Sequence, residues 1–208
     1  MAIIKMNPRK LSLFREKKGI NISPENIVAI SWTALIFLIY YLKHSFEFDF
    51  KGIEIGILLL GAFYIIGLLI STYFRYEREI GEYCGRISFY ENRINIENND
   101  FHLEEIQKLE FFSTYDVKGD FTNYLLEFTP HLSNGLNNSF ILTLKNGKQI
   151  EYNFLQTKSE QIKYYKEVLT NYHKKGIISW LELLNILKIE DYNEIQKLKK
   201  EITIANTV

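Results

Sequence analysis

Residues that could do chemistry are few and scattered along the 208-residue chain. The four histidines, His44, His102, His131 and His173, stand apart, and none lies at metal-ligand spacing from another. There is no His-Glu-x-x-His, no cysteine pair and no clustered acid set to complete a site. The single Cys84 has no neighbouring histidine to activate it, so it reads as a small packed side chain and not as a nucleophile. Asp116, Lys118 and Asp120 in "STYDVKGD" fall in a loop between strands, where such residues serve turns as readily as sites. Glu104 and Glu105 read as a solvated face beside Leu103, Ile106 and Leu109, without the arrangement a general acid and base require. No Gly-rich phosphate loop follows a strand and precedes a helix. The expectation is a protein with no catalytic residue, no cofactor and no metal.

The elements around these residues point to location. With 25 basic and 25 acidic residues and 47% hydrophobic content, the average is that of a globular chain. The charges are segregated, however. No charged residue occurs between Ile27 and Leu42, and Ile55 to Phe74 are twenty consecutive uncharged positions. A bilayer core needs roughly 20 apolar helical residues. Ser23-Pro24-Glu25 is a good helix start, which places one helix at about residues 24–44 and a second at about 53–75. Two buried core helices of a soluble protein are the competing reading, but neither run shows a polar face at helical period. A cleaved signal peptide fits less well, because no small-x-small site follows Leu42.

Residues 23–75 therefore read as a transmembrane helical hairpin. Its turn carries Lys43 and Lys51 at the helix ends and Phe46, Phe48 and Phe50 between acids, as the headgroup layer favours. Gly52 and Gly56 form a weak close-packing motif. Residues 1–22 are a basic segment holding Lys5, Arg9, Lys10, Arg15, Lys17 and Lys18, while Arg75, Arg78 and Arg86 follow the second helix. By the positive-inside rule both termini are cytoplasmic at the inner membrane, with Lys17, Lys18, Lys43, Lys51 and Arg75 at the interface. The lone cysteine agrees with a reducing compartment. The basic residues serve the membrane face, and a zero net charge argues against nucleic acid as a partner.

Beyond Gly85 the period changes to two. "RISFY" and "RINIEN" form a hairpin pattern, and "IQKLEFF" and "NYLLEFT" are two more strands. In "FILTLKNGKQIEYNF", Phe140, Leu142, Leu144, Ile150, Tyr152 and Phe154 line one face, and Asn146-Gly147 predicts a type I′ turn. "TKSEQIKYYKEVLTNYHKKG" predicts a helix opened by a Thr157/Glu160 capping box and closed at Gly176, with Ile162, Tyr165, Leu169 and Tyr172 on one face. Residues 86–176 thus predict about six antiparallel strands capped by one helix. Residues 177–202 add two more helices. Trp180, Leu183, Leu184 and Leu187 share a face there, to be packed on the domain or offered to a partner or the bilayer surface.

Two membrane helices followed by a six- or seven-stranded sheet and a C-terminal helix resemble bacterial YcxB-like and other pleckstrin-homology-like membrane proteins. "SNGLNN", "LKNGKQIEY" and "ISWLELLNILKIEDYNEIQKLKK" also resemble segments of uncharacterised Bacteroidetes membrane proteins. The resemblance spans about residues 20–201 and implies an α+β membrane protein with a cytoplasmic pleckstrin-homology-like domain. It carries no functional residue. Two function classes follow: a non-enzymatic binding or scaffold module at the inner membrane, or an immunity factor guarding that membrane against a delivered toxin. The partners expected are the lipid bilayer and a protein, with a second copy of the chain left open.

Overall fold

In the computed structural model, which describes residues 10–17, 24–46, 51–122 and 129–204, the chain is α+β. One open antiparallel sheet holds seven strands: β1 (Lys10–Glu16), β2 (Gly81–Phe89), β3 (Arg93–Ile96), β4 (Asn99–His102), β5 (Ile106–Ser113), β6 (Asn138–Leu144) and β7 (Gln149–Phe154). The helices are α1 (Pro24–Phe46), α2 (Lys51–Thr72), α3 (Lys166–Lys174), α4 (Trp180–Leu187) and α5 (Tyr192–Ile204). Two compact units result. One gathers Met1–Lys17, Tyr76–Thr122 and Leu132–Val208, and the other Lys18–Arg75 with Asn123–His131.

The strand order is β4-β3-β2-β1-β7-β6-β5, so the N-terminal strand is the middle of the sheet. Counting lysines and arginines assigns this stretch to a basic flank. The structure shows that its apolar residues matter as much, since Leu11 and Leu13 are fully buried and Phe14 nearly so. Leu11 faces Ile87 on β2, and Leu13 faces Phe154 on β7. The β1–β2 register shifts between Leu13 and Phe14, leaving Cys84 as the extra residue of a bulge that bends and twists the pair. The chain leaves the sheet at Lys17, whose N–H donates to the Ile80 carbonyl at 3.0 Å. It therefore re-enters where it left, and both helices of the hairpin are an insertion between two paired strands.

Helix α1 begins at Pro24, as the Ser23-Pro24-Glu25 signal predicts, and both helices are long and apolar enough to cross a membrane. They are not core helices. None of the Asn26–Ser45 window is buried, and 11% of Ile55–Thr72 is. A Cβ at Gly52 or Gly56 would meet nothing within 4 Å, whereas at Gly61 a Cβ would lie 2.6 Å from the Trp32 indole nitrogen. The close approach between these helices is thus at Gly61, and the Gly52/Gly56 spacing is incidental. The Phe48/Phe50 turn and Lys18 lie outside the described residues, as does most of the "NYLLEFT" strand.

The core of the sheet unit is one cluster. Leu11, Leu13, Ile87, Leu109, Phe140, Leu142 and Phe154 from the strands meet Ile162, Tyr165, Leu169 and Tyr172 of the predicted apolar face. Residues 177–202 belong to the same cluster through Ile177, Ile178, Leu183, Leu184, Ile186 and Leu198. Two local expectations change. Leu144 accepts from the Gly147 N–H at 2.9 Å and only Gly147 has positive φ (85°), so the hairpin is a type I turn with a glycine bulge, not type I′. The Thr157 hydroxyl accepts from the Glu160 N–H, but the helix starts later, as a 3-10 turn at Ile162–Tyr165 leading into α3. At the other end Gly176 (φ 74°) and Ile177 donate to His173 and Tyr172, a Schellman stop that steers the buried Ile177 into the core.

Candidate functional site

Two polar assemblies stand out in the sheet unit. The first is a groove of about 880 Å³ between the β3–β4 and β6–β7 turns, lined by Arg15, Asp100, Glu105, Lys148 and Tyr152 among others. Between two residues of its wall, Ile96 and Asn98, Glu97 takes a left-handed conformation (φ 57°) unusual for a side-chain-bearing residue. Opposite it stands Gly85, where a Cβ would come within 2.7 Å of the Glu97 side chain. So placed, the Glu97 carboxylate accepts from the Tyr152 hydroxyl at 3.0 Å. The Arg15 guanidinium lies 5.9 Å from the Tyr152 ring centre. Burial and the Glu97 carboxylate both push the Tyr152 hydroxyl above its usual range, and burial does the same to the Cys84 thiol. Neither is an activated base or nucleophile. The groove offers a cation, hydrogen-bonding groups and an aromatic face, which suits recognition more than bond-making.

The second assembly is a buried polar knot formed by the "STYDVKGD" and "SNGLNN" loops. Asn138 is fully buried; its amide donates to the carbonyls of Asp116 (2.8 Å) and Gly135 (2.9 Å), and its oxygen accepts from the Gln156 amide at 2.8 Å. Gln156 in turn donates to the Thr114 carbonyl and accepts from the Ile162 N–H, joining loop to helix. Asp116 accepts from the Ser133 hydroxyl and the Asn137 N–H. Gly135 (φ 76°) is required, because a Cβ there would lie 2.7 Å from the Lys118 nitrogen. This satisfied network fixes loop geometry. Asp116 is thereby structural, and Lys118 pairs with Glu79 at 2.9 Å.

The remaining candidates are placed as follows. Leu183 and Leu184 are buried, and Trp180 and Leu187 pack half-buried against the same core, so the domain itself occupies these side chains. His173 donates its Nδ1–H to the Ile178 carbonyl (2.9 Å) and lies against Trp180. His131, in the helical unit, is buried beside Tyr73, with a ring distance of 4.3 Å. Lys17 and Lys43 are exposed and Arg75 is half-buried, while Lys51 starts α2. Among the described residues no group of three or more His, Cys, Asp or Glu could hold a metal ion. Comparisons with protein-family models, with curated proteins and with solved structures find no match.

Proposed function

We propose that the protein is a membrane-anchored, non-enzymatic binding or scaffold module, with α1 and α2 spanning the inner membrane and the sheet unit on its cytoplasmic side. The observation that carries this reading is the insertion of two apolar helices between paired strands. Because Lys17 and Ile80 are hydrogen-bonded neighbours, the chain between them must cross the bilayer an even number of times. The abundance of Lys and Arg before α1 and after α2 supports an orientation with both termini inside. The pleckstrin-homology-like reading draws support from the meander order, in which β1–β7 is the one neighbour pair that is not consecutive along the chain, and from α3 packed across one end. There the Tyr172 hydroxyl donates to the carbonyls of Tyr90 (2.6 Å) and Arg93 (3.1 Å). The groove around Arg15 and Tyr152 is the surface offered to a protein or lipid ligand. Arg15 stands two residues before Lys17, where the chain leaves the sheet.

Cysteine labelling of whole cells tests the anchorage. In a Cys84→Ser background, an Asp49→Cys variant should react with an impermeant maleimide, and an Asn146→Cys variant, at an exposed turn, only after permeabilisation. The reverse pattern refutes the topology. A photoreactive side chain at Lys148 should cross-link in native membranes to a species whose capture is lost on Tyr152→Ala substitution; capture unaffected by that substitution refutes the groove as the binding surface.

A further inference from the structure

We infer that the sheet unit touches the bilayer a second time, through Tyr76 and Phe121, whose rings enter the lipid headgroup layer; this rests on the reading of α1 and α2 as membrane spans. The chain passes between the two units after Lys17, before Tyr76, after Thr122 and before Leu132. Three of these junctions are adjacent on the sheet unit. Tyr76 forms a parallel bridge with Leu132, Phe121 an antiparallel bridge with the same residue, and Glu77 donates its N–H to the Leu132 carbonyl at 2.7 Å. The path of the chain thus marks one pole of this unit. Tyr76 follows Thr72, the last residue of α2, by four positions, so chain length alone holds it within about 14 Å of the helix end.

This pole presents aromatic rings outward. Tyr76 is 50% exposed and Phe121 69% exposed, although the same unit has ample core to bury rings. Phe121 does not hang from a free loop. Lys118 and Gly119 donate to the carbonyls of Gln156 (2.9 Å) and Ser133 (3.0 Å), and Ser133 returns a bond to Asp120 at 2.8 Å. Val117 anchors the base of the loop in the interior. An apolar ring held rigidly in water beside the exit of a membrane helix is best accounted for by the interface, where amphipathic and aromatic side chains concentrate. The charges of the pole decide the kind of surface. Apart from Lys17 and Arg75, which flank the hairpin itself, Lys118 and Arg78 are set against Glu77, Glu79 and Asp120, with Lys118 already paired, so the Tyr76/Phe121 face adds no positive surplus for anionic lipid. The contact is therefore aromatic, and it forms on zwitterionic lipid.

Tryptophan fluorescence of the full chain tests this in phosphatidylcholine vesicles carrying a lipid spin-labelled near the glycerol end of its acyl chains. One variant, Trp180→Phe, keeps only Trp32 in α1 and reports the spans. A second, with Trp32→Phe, Trp180→Phe and Phe121→Trp, reports the pole. The spin label should quench most of the emission of both, and aqueous iodide should quench neither strongly. Quenching at Trp32 with a residue-121 tryptophan open to iodide overturns the second contact alone. Shielding of residue 121 from both quenchers also overturns it, in favour of a covering protein surface. If the spin label quenches neither and iodide reaches Trp32, the spans themselves are refuted.

Discussion

Strand β1 makes a strong demand on the domain: the sheet unit should not fold without residues from before α1. Leu11, Leu13 and Phe14 are 0%, 0% and 4% exposed. Burying such side chains stabilises by about 1.5–3 kcal/mol each, or roughly 4.5–9 kcal/mol together, against a typical total of about 5–15 kcal/mol. Loss of β1 also leaves β2 and β7 as bare edges where each had a neighbour. A fragment of residues 76–208 should therefore show no cooperative thermal transition by circular dichroism. The same fragment preceded by residues 1–17 and a Gly/Ser linker should melt cooperatively. About six linker residues suffice, because Tyr76 is four positions from Ile80, the partner of Lys17, and the chain spans about 3.3–3.6 Å per residue. A peptide of residues 8–18 added to the short fragment should restore part of the transition. Equal midpoints for the 76–208 fragment and the linked version would refute the reasoning, since they would show that the sheet does not depend on its middle strand.

Other expectations concern single positions and are best measured on the linked soluble version. Glu182 accepts from the Phe111 N–H on the edge strand β5, and burial, opposed by that hydrogen bond, raises its carboxyl pKa. A raised carboxylate pKa means that the native state holds its proton more tightly than the unfolded chain. Stability should then rise as pH falls from the folded pKa toward the unfolded value of an ordinary glutamate. Glu182→Gln should remove that slope in urea titrations while keeping the acceptor, whereas Glu182→Ala should cost about 1–3 kcal/mol at neutral pH; a pH slope unchanged in Glu182→Gln refutes the assignment. Gly147→Val should destabilise by roughly 1–2 kcal/mol from left-handed strain alone, since nothing crowds the site, and an unchanged melting temperature counts against it. Asn138→Ala should cost roughly 2–4 kcal/mol in denaturant titration by orphaning several buried groups; a loss below 1 kcal/mol would show the knot to be dispensable.

How much of this was legible depends on whether the signal was local. The continuous apolar runs of α1 and α2, the alternation of β6 and β7 and the face from Ile162 to Tyr172 are local patterns, and the structure follows them. In β1, by contrast, Leu11 and Leu13 alternate over too few residues to stand out among Lys10, Arg15 and Lys17, and their partners lie far along the chain. The turn at Gly147 carries the residues of either hairpin type, so composition could not choose between them. The groove was hidden for a different reason. Glu97 and Tyr152 are 55 positions apart, and only Gly85, an isolated glycine within a strand, hinted at a close approach. Asp116 reads as an ordinary loop residue and "SNGLNN" carries no reading of its own, whereas Asn138 and Ser133 are fully buried and tie the loops together.

The central place of β1 also orders events at the ribosome. Leu13 is among the first residues made, yet its β7 partner Phe154 follows 141 positions later (154 − 13). At about 5–20 residues per second the strand waits on the order of 7–28 s with two leucines and a phenylalanine exposed. During that wait the whole apolar hairpin is synthesised and must find its own environment. With α1 and α2 as the proposed spans, only a chain whose hairpin has come back to the starting side can bring Gly81 opposite Glu16 and complete the sheet. On the proposed membrane reading, a completed sheet is a built-in receipt for correct insertion, and chains that insert wrongly keep an unpaired, protease-sensitive strand at their N-terminus.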